Sequence, residues 1–195
     1  RMIPHMRVLA PSNEAELAGA LHTALALGGP FAVRYPRGSA EGVPVPEEPE
    51  TFELGRAHVV REGEDVAVLA FGRMVSRAKA AADLLAQRGI SVRVVDMRWV
   101  KPLDTAEIAR AAKTRLVVTV EEGVVTGGVG EGVLEELSRM NASVPTLALG
   151  IRDTFVAQGK SDLLLRDLGL DAEGIAQAIA QSLSRQADGT CSSMM

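Results

Sequence analysis

The chain of 195 residues is long enough for one large domain or for a small domain with part of another, and its formal net charge at pH 7 is −4. A hydrophobic content of 47% with only 3% aromatic residues is typical of packed α/β layers and excludes a disordered or fibrous chain. Because 21 Lys and Arg are interspersed with 25 Asp and Glu, and no apolar run approaches the roughly 20 residues that span a bilayer, we expect neither a nucleic-acid nor a membrane partner.

The first predicted elements are a strand, a helix and a second strand. Residues 6–10 form an apolar run, and residues 12–16, Ser-Asn-Glu-Ala-Glu, combine a capping residue with early acids, which starts a helix that reaches about Leu27. A Gly-Gly-Pro run ends this helix, and residues 31–35 form the next strand. Such a unit predicts a parallel crossover, and because two strands make no domain we expect upstream sequence to complete the sheet.

The next segment is rich in proline and glycine and is predicted to be a linker. It covers residues 39–52 and has no periodic apolar face. Residues 57–61 and 65–72 follow as two strands, and the short Glu-Gly-Glu connection at 62–64 predicts a hairpin between them. The second of these strands is almost continuously apolar, as a buried central strand should be.

The rest of the chain alternates between helical and extended patterns. Such alternation predicts a doubly wound α/β sheet of about five strands. The predicted helices are residues 75–88, 104–113, 132–140 and 171–185, and the predicted strands are 91–97, 116–120 and 146–149. The last helix carries Ile175, Ile179 and Leu183 on one stripe, and residues 187–195 are expected to be a disordered tail.

Arg37 is the first candidate for ligand binding. The strand before it ends at Pro36, which cannot donate a ladder hydrogen bond, so Arg37 should lie just past the carboxyl edge of a sheet. This edge is where α/β proteins bind ligands. A guanidinium there offers a planar, permanently charged fork that matches phosphate or carboxylate. The alternative is an ordinary surface salt bridge.

Two acidic residues and a glycine-rich stretch form a second candidate. Backbone amides of residues 127–132, before a predicted helix, could bind an anion. The stretch lacks the Lys and Ser or Thr of a phosphate-binding loop, which favours a structural turn. Glu121 and Glu122 are adjacent on a strand and should face opposite sides, so a capping or interface role is favoured over an acid and base pair.

The segment 96–104 combines the single tryptophan with both positive and negative side chains. This mixture is found where a chain packs against a partner or a neighbouring domain, and a local turn is an equal alternative. The three histidines, His5, His22 and His58, have no metal-ligand spacing.

Four segments in order resemble the C-terminal third of the 1-deoxy-D-xylulose-5-phosphate synthases, a thiamine-dependent family related to transketolase. They are Arg34-Tyr-Pro-Arg-Gly38, the Val-Asp-Met-Arg-Trp-Val-Lys-Pro-Leu-Asp run at 95–104, residues 118–130 with their Glu pair and glycines, and the Gly-Ile-Arg-Asp-Thr-Phe-Val-Ala-Gln-Gly run at 150–159. The resemblance implies that residues 1–38 end a pyrimidine-binding domain, that 39–52 are a linker and that 53–186 form a transketolase C-terminal-domain-like sheet.

The resemblance also implies a reaction and a site. These enzymes condense pyruvate with D-glyceraldehyde 3-phosphate, release carbon dioxide and supply the precursor of isoprenoids, thiamine and pyridoxal. The family's Tyr-Pro-Arg-Gly arginine, here Arg37, binds the phosphate of the acceptor; Arg34 is a weaker candidate, since it could instead enter a structural ion pair. Arg152 and Gln158 stand where the family usually has proline and histidine, and no chemical role is assigned to Gln158.

The family's thiamine diphosphate and magnesium motifs do not occur in this sequence. The resemblance therefore implies that both cofactors bind to residues in a missing N-terminal part, that this chain holds no catalytic residue, and that it is inactive alone. It also implies a cytoplasmic homodimer. The alternatives are the β subunit of a 2-oxoacid dehydrogenase, one half of a split transketolase, or a non-catalytic dimerisation module.

Overall fold

The computed structural model describes residues 1–38 and 40–187. In chain order the described elements are β1 (Arg7–Leu9), α1 (Glu14–Leu27), β2 (Phe31–Val33), β3 (His58–Arg61), β4 (Val66–Ala70), α2 (Met74–Ala86), β5 (Val92–Asp96), β6 (Trp99–Lys101), α3 (Thr105–Ala111), β7 (Leu116–Val124), α4 (Val129–Arg139), β8 (Thr146–Ile151), α5 (Ser161–Asp167) and α6 (Ala172–Ala187). The predicted tail at 187–195 lies, apart from Ala187, outside the described residues.

The first strand, helix and strand form a small sheet, as predicted. β1 pairs with β2 in parallel, with Val8 opposite Ala32, and α1 connects them. Asn13 caps α1 by accepting a hydrogen bond from the backbone N–H of Glu16 at 3.0 Å. The third strand of this sheet is β6, which pairs antiparallel with β1 and comes from the tryptophan segment 96–104.

The second sheet has five strands in the order β3-β5-β4-β7-β8. Strands β5, β4, β7 and β8 are parallel, which confirms the predicted doubly wound sheet. All residues of β4 are buried, as expected for the central strand. On one face α2 and α6 cover the sheet, with Ile175, Ile179 and Leu183 in the core, and α3 and α4 contribute to the core on the other face.

The predicted hairpin between β3 and β4 is wrong. Both edges of β4 are occupied in register by β5 and β7 over all five of its residues, so β3 pairs antiparallel with β5 instead. The connection at 62–65 therefore crosses the start of β5. A Cβ at Gly63 would lie 2.2 Å from the carbonyl carbon of Val92, so this crossing requires glycine.

We expect Gly63→Ala to lower the free energy of unfolding by about 1–3 kcal/mol, because the methyl group must push the connection away from β5. Urea unfolding of the 195-residue chain measures this loss. The exposed neighbouring residue Glu64, changed to alanine, is the matched control and should leave the stability within about 0.5 kcal/mol of the parent. Equal stability of the two variants would contradict the close approach.

The tryptophan segment joins the two sheets, so of its two predicted roles the structure favours packing against a neighbouring unit. Trp99 is fully buried in a core that contains Leu9, Ala20 and Phe52, and its ring centroid lies 5.8 Å from that of Phe31. The residues from 99 to 101 form β6 rather than a loop.

Arg98, which precedes this tryptophan, also stabilises the contact between the tryptophan segment and the small-sheet unit. Its guanidinium donates to both carboxylate oxygens of Glu16 on α1, at 2.8 and 2.6 Å, and lies 4.1 Å from the centre of the Phe52 ring. Arg98 has a left-handed φ of 50°, which turns the chain from β5 of the large sheet into β6 of the small one. The two sheets are thus held by both apolar and charged contacts.

Asp96 is a buried acid at this junction, with 1% of its surface exposed. Burial raises the pKa of Asp96 to about 7; the negative charge of Glu16 adds to the rise, and the Ser12 hydroxyl and the Arg98 backbone N–H oppose it by hydrogen bonding. Between the ordinary pKa near 3.8 and 7 the folded chain therefore keeps a proton that the unfolded chain has lost.

It follows that stability should fall as pH rises from about 4 to 7, by up to about 1.4 kcal/mol per pH unit, and that this contribution should be constant above 7. Asp96→Asn mimics the protonated side chain, so its unfolding free energy should fall less over the same range. Urea unfolding of both chains at several pH values measures the difference. Parallel pH profiles would show that Asp96 ionises with its ordinary pKa.

Candidate functional site

A cleft of about 300 Å³ lies where the two sheets meet. One wall is formed by residues 34–37, which follow β2, and by Ala10 after β1. The opposite wall is formed by residues 71–73 after β4 together with Glu122 and Ile151 near the ends of β7 and β8. The carboxyl ends of parallel strands from both sheets thus converge on one cavity, which is the usual position of ligand sites in α/β proteins.

Arg37 lines this cleft with an exposed side chain. Among the described residues it has no hydrogen bond and no ion pair, so the ordinary salt bridge considered from the sequence is not formed there. A permanently charged guanidinium without a protein partner is free to bind an anion from solution. Arg37 therefore lies in a cavity where it could bind an anion, and its binding role stays a prediction.

Arg34 has a protein partner. Its Nη2 donates a hydrogen bond to the backbone carbonyl oxygen of Glu122 on β7. The structural interaction that the sequence left open is therefore formed, although its acceptor is a carbonyl rather than a carboxylate. Arg34 ties the segment after β2 to the large sheet at the edge of the cleft, and its part in ligand binding stays a prediction.

Glu121 and Glu122 lie in an irregularity of β7. Val120 pairs with Leu149 but Val124 pairs with Ile151, so β7 has two extra residues between these pairs. Such bulges re-aim side chains near functional sites. Glu122 lines the cleft, where its carboxylate accepts two hydrogen bonds from Arg73: one from Nε to Oε2 at 2.5 Å and one from Nη2 to Oε1 at 2.8 Å.

Glu121 points to the start of α4. Its carboxylate accepts hydrogen bonds from the backbone N–H groups of Val129 and Gly130, at 3.0 and 2.9 Å. The residue is 4% exposed. The predicted capping role is therefore confirmed, and the amides that could have bound an external anion are occupied by the chain itself. The predicted structural turn at 127–132 is corrected, because α4 already begins at Val129 and only 127–128 precede it.

Other candidate residues do not join the cleft. Gln158 lies in an exposed segment after β8 and does not line the cavity. His22 bonds to the backbone oxygen of Pro49 at 2.8 Å. In the part of the chain that the structure describes, no group of three or more His, Cys, Asp or Glu could hold a metal ion, and no helix is long and apolar enough to cross a membrane.

Residues 55–175 match the family model described as transketolase, C-terminal domain. The chain belongs to the transketolase C-terminal domain family. The matched range contains β3 to β8, whereas Arg34 and Arg37 lie before it. The cleft is therefore shared between the transketolase C-terminal domain and the strand, helix, strand unit that precedes it.

Curated relatives confirm the resemblance to the synthases. The chain is 47% identical over 185 residues to the 1-deoxy-D-xylulose-5-phosphate synthase of Chromobacterium violaceum, covering 94% of this chain and 29% of that protein. It is 47% identical over 178 residues to the synthase of Thermomicrobium roseum, covering 90% of this chain and 28% of the relative. The chain therefore spans less than a third of the length of these relatives.

A solved structure has the same fold. The chain superposes on a protein described as a split gene transketolase, inactive beta4 tetramer, with a TM-score of 0.83 and 35% sequence identity. The match covers 94% of this chain and 60% of the other. The likeness thus extends beyond the transketolase C-terminal domain to the small sheet as well.

Arg73 is the residue of the cleft that sequence reasoning missed. It lies directly before α2, and no recognisable sequence motif includes it. Its position after β4, at the carboxyl edge of a central parallel strand of the transketolase C-terminal domain, is the one signal that could have indicated it.

Proposed function

We propose that the protein to which this chain belongs is a 1-deoxy-D-xylulose-5-phosphate synthase, a thiamine diphosphate-dependent transferase. It would condense pyruvate with D-glyceraldehyde 3-phosphate, release carbon dioxide and supply isoprenoid and thiamine biosynthesis. The observation that carries this proposal is 47% identity to such a synthase over 94% of the chain. The proposed division is an end of a pyrimidine-binding domain at 1–38, a linker at 39–52 and the transketolase C-terminal domain at 53–186.

In this proposal Arg37 binds the phosphate of the acceptor aldehyde. The charges of the cleft support it, since three guanidiniums, those of Arg34, Arg37 and Arg73, share the cavity with one carboxylate, that of Glu122. These charges leave the cavity with a net charge of +2, which a phosphate dianion would neutralise. The fork of Arg37 can donate two parallel hydrogen bonds to phosphate oxygens and so orient the aldehyde end toward the reacting centre.

The family implies thiamine diphosphate and a divalent metal ion, and the thiamine cofactor would supply the nucleophilic carbon chemistry of the reaction. The described residues contain no metal-binding cluster and so do not fit the metal-bound diphosphate. We propose that residues outside this chain hold both groups and that the chain alone is inactive. We further propose a cytoplasmic homodimer; the split transketolase, described as a tetramer, supports self-association.

One half of a split transketolase is the second candidate, favoured by the structural match of TM-score 0.83. The two functions differ in their products. A synthase releases carbon dioxide from pyruvate, whereas a transketolase moves a two-carbon ketol group between sugar phosphates without decarboxylation.

The test is an assay of the purified full-length protein with pyruvate, D-glyceraldehyde 3-phosphate, magnesium and thiamine diphosphate. We expect equal amounts of carbon dioxide and 1-deoxy-D-xylulose 5-phosphate, and no product from the 195-residue chain under the same conditions. Ketol transfer from a sugar phosphate without carbon dioxide would support the split transketolase instead. Turnover by the 195-residue chain above the blank would overturn the proposed inactivity.

A further inference from the structure

Glu122 is the only carboxylate that lines the cleft within the described residues, and it lies between two guanidiniums. Arg34 binds its backbone oxygen and Arg73 binds both oxygens of its side chain. A carboxylate in this cavity competes with phosphate for any unpaired guanidinium, because both anions fit the same planar fork. Arg37 stays unpaired among the described residues although Glu122 shares its cavity.

Arg73 is well placed to keep Glu122 away from Arg37. Its side chain is 13% exposed and that of Glu122 is 29% exposed, so their forked pair is partly shielded from water. Nη2 of Arg73 also donates to the hydroxyl of Ser161, the first residue of α5. The pair is thereby anchored to α2, where Arg73 is the residue before the first turn, and to α5.

We propose that Arg73 is a positioning residue that holds and neutralises the Glu122 carboxylate so that Arg37 is left free for the phosphate of the acceptor. This inference rests on the proposed function, since it assigns a partner role within the same cleft. Arg73 itself needs no contact with the substrate. Without Arg73, the Glu122 side chain would be an unpaired negative charge in the same cleft as Arg34 and Arg37.

The test uses the full-length enzyme and a pair of variants with a rescue. We expect Arg73→Met to raise KM for D-glyceraldehyde 3-phosphate roughly tenfold, while kcat and KM for pyruvate stay within about twofold. Adding Glu122→Gln to Arg73→Met removes the competing charge and should restore KM to within about twofold of the parent. A role limited to holding the fold would give no such rescue.

Arg77 provides the matched control. It lies one turn after Arg73 on α2 and also links this helix to α5, through an ion pair with Asp162 at 2.7 Å, but it does not line the cleft. Arg77→Met should therefore leave KM for both substrates unchanged. If Arg77→Met raises KM as much as Arg73→Met, the effect is a loosening of the helices and the proposal is wrong.

Two further measurements keep the outcome decisive. If Arg73→Met does not fold, as judged by its thermal unfolding, Arg73→Gln replaces it. Glutamine keeps an N–H donor for Glu122 but removes the positive charge, so KM for D-glyceraldehyde 3-phosphate should still rise; an unchanged KM would overturn the inference. Arg37→Ala measured alongside separates the two proposals. If Arg37→Ala raises this KM and Arg73→Met does not, only the role of Arg73 fails, whereas an unchanged KM in Arg37→Ala removes the phosphate role itself.

Discussion

Replacing Trp99 with alanine should lower the free energy of unfolding of the chain by about 3–5 kcal/mol. Trp99 on β6 is fully buried against the small-sheet unit, where it packs with Leu9 and Ala20, and against Phe52 from the connecting segment. Removing the indole leaves a cavity that the paired strands β1 and β6 cannot close. The loss should therefore weaken the packing of β6, which follows β5 of the large sheet in the chain, against the small-sheet unit.

Urea unfolding followed by circular dichroism measures this loss, since the variant has no tryptophan left for fluorescence. Trp99→Phe is the control. Among the described residues the indole Nε1–H has no hydrogen-bond partner, so phenylalanine gives up packing volume but no hydrogen bond, and it should cost roughly 1–2 kcal/mol. A loss below about 1 kcal/mol in Trp99→Ala would mean that the chain does not depend on this buried contact.

The second large effect concerns binding in the full-length enzyme. Arg37→Ala should raise KM for D-glyceraldehyde 3-phosphate by about ten- to a hundredfold, because a hydrogen bond to a charged group contributes about 1.5–3 kcal/mol. KM for pyruvate should stay nearly unchanged, since pyruvate carries no phosphate for this guanidinium. Steady-state kinetics with each substrate varied in turn gives both constants.

Two controls refine this experiment. Arg37→Lys keeps the charge but loses the planar fork, so its KM should lie between those of the parent and the alanine variant. Arg88→Ala removes an exposed arginine just past the far end of α2, at the opposite end of this helix from the cleft, and should change neither KM. An effect of similar size in Arg88→Ala would point to the overall charge of the protein rather than to a site.

Much of the fold could be predicted from hydrophobic periodicity. Helices such as α2 and α6 and buried strands such as β4 carry clear patterns over many residues. Pairing between strands was harder to predict, because the insertion of β5 between β3 and β4 depends on contacts 33 to 38 residues apart along the chain. The helix α5 was missed since its three consecutive leucines, at 163–165, show no helical period.

The candidate site could be predicted only in part. Pro36 marks the end of a strand, and this local signal is enough to predict that Arg37 lies at a sheet edge. The partners of Glu122 depend on a bulge in β7 and on Arg73, which is 49 residues away in sequence. No spacing rule connects two such residues, so the charge arrangement around Arg37 emerges only from the folded chain.

A crystal structure of the full-length protein with bound D-glyceraldehyde 3-phosphate would test the central claim most directly. We predict phosphate oxygens within hydrogen-bond distance of the Arg37 guanidinium, with Glu122 still held by Arg73. A phosphate bound elsewhere, with Arg37 turned to solvent or paired with a carboxylate, would contradict the proposed site.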